Sequence, residues 1–113
     1  MRSFSGIRIR GCLFRYIPKN GFTGLNALQE LIIENAENLQ IHKDAFKNTP
    51  YLRKISIVHS DLRQMPKICL LPILKFLNLT GNNIGTFEES GIICQEKKTM
   101  RFLTYLILTK NNI

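Results

Sequence analysis

The sequence predicts an α/β-type repeat fold: about five short repeats wound into a solenoid, their strands forming one parallel sheet on the concave face. Three observations predict it. First, Leu74-Lys75-Phe76-Leu77-Asn78-Leu79-Thr80-Gly81-Asn82-Asn83-Ile84 reads L-x-x-L-x-L-x-x-N-x-I. Apolar residues two apart suit a short strand, and an Asn just after it can satisfy backbone groups that a buried turn leaves unpaired. Second, the spacing recurs from positions 4, 28, 52, 74 and 103, so successive starts lie 24, 24, 22 and 29 residues apart. Third, the second halves of the repeats align. Ile17-Pro18 then Phe22, Ile41 then Phe46, and Met65-Pro66 each place an apolar residue where the chain turns back under a strand.

The pattern resembles the core of a leucine-rich repeat, and each copy can be justified in turn. The first runs through Phe4, Ile7, Ile9, Cys12 and Phe14. Side chains alternate along a strand, so Gly6, Arg8 and Arg10 belong to the concave face. Cys12 stands where Asn82 stands in the fourth copy and should point inward. The second copy, Leu28, Leu31, Ile33 and Ala36, displays Glu30, Ile32 and Glu34. Its Asn35-Ala36-Glu37-Asn38 turn is irregular, since Ala36 replaces the Asn and the next apolar residue arrives late at Leu39; a local bulge is expected. The third, Leu52, Ile55, Ile57, Ser60 and Leu62, displays Lys54, Ser56 and Val58, with His59 at the rim.

The fourth copy displays Phe76, Asn78 and Thr80, and the fifth, Leu103 to Ile113, displays Tyr105, Ile107 and Thr109. Stacked parallel strands set equivalent positions side by side, so Arg10 should neighbour Glu34, Glu30 should neighbour Lys54, and Phe76 should neighbour Tyr105. The charged lateral pairs contribute roughly 0.2–1 kcal/mol each, at the low end where exposed. An exposed aromatic cluster is a contact-site candidate. The other reading is that residues 85–101, an inserted loop, or a following repeat cover it.

At 113 residues, 44% of them hydrophobic, residues 1–113 amount to one domain. No polar cap precedes Phe4 or follows Ile113, so the chain reads as an uncapped fragment of a longer protein. No apolar run approaches the ~20 residues of a membrane span, and Met1 to Gly11 lacks the apolar centre of a signal peptide. The net charge of +8 raises nucleic-acid binding. Yet the 16 Lys and Arg are dispersed, and no helix-turn-helix, RNP or zinc-finger spacing accompanies them, which disfavours it. Nothing has the spacing of a catalytic motif, a phosphate loop or a metal site. No enzyme activity, cofactor or metal is therefore expected, and His42 and His59 are separate surface residues.

Of the three cysteines, Cys69 and Cys94 both fall outside strand positions. A bond between them closes a loop of about 25 residues and stabilises by roughly 3 kcal/mol in an oxidising compartment. In a reducing one, both are free thiols. Asn78-Leu79-Thr80 is an N-glycosylation acceptor pattern, weakened as a signal because the repeat itself favours N-L-T.

Taken together, Cys12-Leu13-Phe14 leading to Ile17-Pro18-Lys19-Asn20-Gly21-Phe22, then Asp44-Ala45-Phe46, resemble the ectodomain repeats of Toll and Toll-like receptors. So do Ile68-Cys69-Leu70-Leu71 ahead of Leu77-Asn78-Leu79-Thr80 and the insertion holding Cys94. The second copy, Glu34-Asn35-Ala36-Glu37-Asn38-Leu39, is also similar to glycoprotein-hormone receptor ectodomains. The Toll resemblance implies a glycoprotein on the extracellular side of the plasma membrane, acting in innate immunity or development. Such a receptor binds a protein ligand or co-receptor and signals through cytoplasmic domains. Neither those domains nor a membrane span is present here, so any membrane attachment would come from other segments. The functional expectation is a non-catalytic recognition module presenting Arg8, Arg10, Glu30, Glu34, Lys54, Phe76 and Tyr105 to a protein partner. The rival is an intracellular, cytoplasmic leucine-rich scaffold.

Overall fold

The computed structural model describes residues 6–10, 15–19, 21–64, 68, 71–85 and 103–111. Among these, five strands form one sheet: β1 (Gly6–Arg10), β3 (Glu30–Glu34), β5 (Lys54–Val58), β6 (Phe76–Asn78) and β7 (Tyr105–Ile107). Every neighbouring pair is parallel, and the order in space is the order in the chain. A smaller parallel pair, β2 (Tyr16–Ile17) with β4 (Gln40–Ile41), lies on the returning side of the chain. This geometry is compatible with a leucine-rich-repeat solenoid. No described helix is long and apolar enough to cross a membrane.

The strands form because every second residue is Leu or Ile. Leu31 and Ile33, Ile55 and Ile57, and Leu77 and Leu79 are all buried, directly beneath the sheet. Leu28, Leu52 and Leu74, three residues ahead of each pair, close the same core from the entry side. Burying such a side chain contributes about 1.5–3 kcal/mol, so this alternation outweighs every polar contact described below. On β7 the pattern holds less well. Leu106, expected inside, is 41% exposed. It lies on the edge strand of the described sheet, with a neighbouring strand on one side only.

Opposite the sheet, the described residues of the returning chain form tight turns. Backbone N–H groups of Gly21, Ala45, Lys47 and Leu71 each donate to the carbonyl three residues earlier, at 2.9–3.1 Å. Phe22 and Phe46 are buried there and stack with ring centres 5.7 Å apart and planes 11° from parallel. Ile68 is likewise buried, in the third return. The apolar positions expected beneath the strands at Ile17, Phe22 and Phe46 are thus in the core, whereas Met65-Pro66 lies outside the described residues.

The inner turns after β6 and β7 are each held by an amide, Asn82 and Asn111. Asn82 Oδ1 accepts from the N–H groups of Ser60 and Leu62 at 3.1 and 3.2 Å. Its Nδ2 donates to the carbonyls of Ile57 and Leu79 at 2.6 and 2.9 Å. Asn111 repeats the arrangement, accepting from Ile84 N–H and donating to the carbonyls of Leu79 and Leu108. One side chain therefore ties two neighbouring turns, through buried groups at Asn82 and half-buried ones at Asn111. Ser60 achieves only part of this: its Oγ accepts from Ala36 N–H at 3.2 Å and donates to the Val58 carbonyl at 3.0 Å. Cys12, expected in the same column, lies outside the described residues.

The residue before this column takes a left-handed backbone in four successive repeats: Asn35, His59, Gly81 and Lys110, with φ of 57°, 52°, 73° and 59°. Only one is glycine, so the turn imposes this conformation against side-chain preference. In the irregular second turn, Asn38 is left-handed too, at φ 50°, and matches Asp61 at φ 52° in the next. The extra residue there is absorbed between two left-handed positions, and Leu39 still reaches the core.

Candidate recognition surface

The alternation that buries Leu and Ile sends the other half of each strand outward. The register defines three rows across the sheet. The first is Gly6, Glu30, Lys54, Phe76 and Tyr105, and the second is Arg8, Ile32, Ser56, Asn78 and Ile107. The third is Arg10, Glu34 and Val58. It continues as Thr80 and Thr109, whose hydroxyl oxygens lie 3.2 Å apart. None of these outward residues is buried.

Arg10 stands opposite Glu34, as stacking requires, and Arg8 joins it. Arg8 Nε and Arg10 Nη2 lie 3.7 and 3.6 Å from the two carboxylate oxygens of Glu34. Both arginine side chains are mostly in solvent, so the two pairs set register more than they stabilise. Glu30 and Lys54 are register partners as expected, but they do not close an ion pair. Lys54 instead places Nζ 5.2 Å from the centre of the Phe76 ring. A flexible ammonium can settle over the negative face of an aromatic ring as readily as beside an exposed carboxylate.

Phe76 and Tyr105 meet as the register demands, ring centres 5.8 Å apart and tilted by 46°. Tyr105 is 58% exposed, so the aromatic pair is open to solvent. Two residues that sequence reasoning passed over complete this corner. Arg53 and Lys75 each precede the first residue of a strand, and with Glu30, Lys54, Phe76 and Tyr105 they line a cleft of about 310 Å³. A signal for them existed. Positions 29, 53, 75 and 104 form a column of their own, joined by Arg53 N–H to the Gln29 carbonyl, Lys75 N–H to the Arg53 carbonyl and Thr104 N–H to the Lys75 carbonyl.

Asn78 lies on the outward face of β6, between Ser56 and Ile107. Its Oδ1 accepts from Thr80 N–H at 3.1 Å and from Thr80 Oγ1 at 2.5 Å, holding the amide close to its own strand. Cys69 and Cys94 lie outside the described residues, as does most of the inserted loop. His42 Nδ1 accepts from Asp44 N–H at 3.0 Å, and His59 packs against Gly81. Among the described residues no three His, Cys, Asp or Glu side chains are grouped to hold a metal ion. A larger cleft, about 720 Å³, flanks β4 between residues such as Gln40, His42, Arg63 and Asn83.

Among the described residues, five parallel strands with an open outward face and amides at the inner turns after β6 and β7 are compatible with a leucine-rich-repeat architecture. The similarities of the chain point the same way. It is 32% identical over 97 residues to human (Homo sapiens) epiphycan, a leucine-rich-repeat proteoglycan, covering 86% of this chain and 29% of that protein. Epiphycan of Gallus gallus is 30% identical over 99 residues, with 88% of this chain and 30% of that protein covered. Toll-like receptor 7 of Drosophila melanogaster is 30% identical over 100 residues, covering 80% of this chain and 7% of the receptor. The chain thus spans less than a third of the length of these relatives. These are non-enzymatic kinds of protein. No protein-family model matches the chain, and no solved structure does.

Proposed function

We propose that the chain is a leucine-rich-repeat recognition module, part of an extracellular protein, that binds a protein partner through the outward face of its parallel sheet. One observation carries the reading. Parallel sheets are ordinarily covered on both faces. Here the underside is packed with Leu and Ile, while no outward residue of the described strands is buried. A sheet face whose described residues are open, with charged and aromatic side chains in register rows, is suited to docking. Arg8, Arg10, Glu30, Glu34, Lys54, Phe76 and Tyr105 would make the contacts.

The finer reading is the ectodomain of a Toll-like signalling receptor, supported by the resemblance of residues 12–22 and 68–80 and by the similarity to Toll-like receptor 7. The similarity to epiphycan favours a second reading, a secreted matrix component. Both place the chain outside the cell, where the Cys69–Cys94 bond is chemically consistent; a glycan on Asn78, beside Ser56 on the outward face, would push binding toward the other strands. Both also leave the recognition face unchanged.

The test is a pair of engineered glycans on secreted protein. Ser56→Asn with Val58→Thr builds an acceptor on β5, and Lys47→Asn builds one with Thr49 on a returning turn. Partners are first identified on an array of extracellular proteins. The β5 glycan should abolish binding and the Lys47 glycan should leave it intact, each occupancy being checked by mass. Binding that survives the β5 glycan and is lost with the other would overturn the proposal.

A further inference from the structure

We infer that the cleft at the entry end of β3, β5, β6 and β7 is the anchor point for a partner segment of one chemistry: an extended acidic peptide with apolar residues between its carboxylates. The inference rests on the protein-recognition reading and names the partner's chemistry.

Three cations converge on the cleft: Arg53, Lys54 and Lys75. Lys54 is engaged with the Phe76 ring, while Arg53 and Lys75 have no ion-pair partner among the described residues. The contrast with the other end of the sheet is the main argument. There Arg8 and Arg10 share the single carboxylate of Glu34, which leaves one net positive charge. At the cleft Arg53, Lys54 and Lys75 face only Glu30 among the described residues, which leaves two. The floor is not polar: Phe76 and Tyr105 present tilted ring faces beside the cations. A volume of about 310 Å³ holds two or three side chains, not a folded surface.

Alternation of cation and ring across the cleft calls for alternation of carboxylate and apolar group in the ligand. A sulfated polysaccharide offers the negative charge without the apolar groups. It would also meet Glu30, a carboxylate on the cleft wall that repels a uniformly anionic chain but can accept a hydrogen bond from a peptide N–H. The observations therefore favour peptide over polyanion.

The experiment uses the full chain and a fluorescein-labelled hexapeptide of alternating Glu and Leu, read by anisotropy, with the Lys–Leu analogue and heparin as comparisons. The Glu–Leu peptide should bind, weaken as salt is raised, and lose about tenfold or more in affinity when Arg53→Glu and Lys75→Glu are combined. Tyr105→Ala should cost a few-fold, and Lys47→Gln, at an exposed position on a returning turn, nothing. The side chains of Arg53, Lys75 and Tyr105 lie outside the core, and unchanged circular dichroism verifies folding of each variant. Two results overturn the inference: peptide binding indifferent to the double reversal, or heparin competing with the peptide and lost in the same variant. If the peptide does not bind while the β5 glycan still abolishes partner binding, the cleft inference falls and the recognition reading stands.

Discussion

At the β1–β3 end of the sheet, Glu34 is shared by two arginines, and the inner turns rely on Ala36 and Ser60. At the β6–β7 end, the outward face carries an open aromatic pair beside Arg53 and Lys75, which have no ion pair among the described residues, and the inner turns are tied by Asn82 and Asn111. The parallel pairing is the same at both ends, and a left-handed turn residue follows β3, β6 and β7 alike. The difference lies in which groups remain unsatisfied. One end shares a single carboxylate between two cations outside and holds its turns loosely inside, while the other holds its turns tightly and leaves Arg53 and Lys75 without an ion pair among the described residues. The tightly held end is the better place for recognition, because ordering a binding surface in advance reduces the entropy lost on docking.

The inner half of that comparison gives the largest effect. Asn82→Ala removes a buried amide serving Ser60, Leu62, Ile57 and Leu79 and should cost roughly 3–5 kcal/mol in denaturant unfolding. Ser60→Ala frees only Ala36 N–H and the Val58 carbonyl and should cost about 1–2 kcal/mol. Equal losses at the two sites would erase the distinction between the ends.

Next in size is the turn residue itself. Gly81 has φ +73°, and a Cβ there would run into the His59 ring. Gly81→Ala should destabilise by about 1–3 kcal/mol, combining backbone strain with that clash. Adding His59→Ala should recover the steric part. A double variant no better than the single one would show that backbone conformation is the whole effect. The smallest change is at the charged end. Glu34→Gln should shift stability by less than about 1 kcal/mol, since both arginine partners are largely solvated, and the shift should vanish in high salt.

Much of this architecture was legible in the sequence because the period of the apolar residues fixes which side chains go under the sheet. Register then follows from stacking one repeat on the next. That logic places Arg10 beside Glu34 and Phe76 beside Tyr105, as found. It does not reach the choices of long, flexible side chains. Glu30 and Lys54 are register partners, yet Lys54 turns to Phe76, and Arg8 reaches diagonally to Glu34. Both outcomes involve energies near that of thermal motion, below anything periodicity can resolve. Arg53 and Lys75 escaped for another reason. They precede the strands, where alternation assigns no face, and only the column joining them shows that they share a cleft with Phe76. Left-handed backbone at Asn35, His59 and Lys110 was hidden because none of the three is the usual marker, glycine, which among the described turns of this column stands at Gly81.

The outward sheet face as recognition surface is tested most directly by oxidative footprinting of the chain with and without its array-identified partner. Tyr105, Tyr51 and Tyr16 are 58%, 58% and 51% exposed, so all three react readily in the free chain. Only Tyr105 lies on the outward sheet face; Tyr51 precedes the β5 repeat and Tyr16 sits in β2 on the returning side. Partner binding should protect Tyr105 and its neighbour Phe76 while leaving Tyr16 and Tyr51 as reactive as before. Protection of Tyr16 or Tyr51 with Tyr105 unchanged would move the binding surface off the sheet and contradict the assignment.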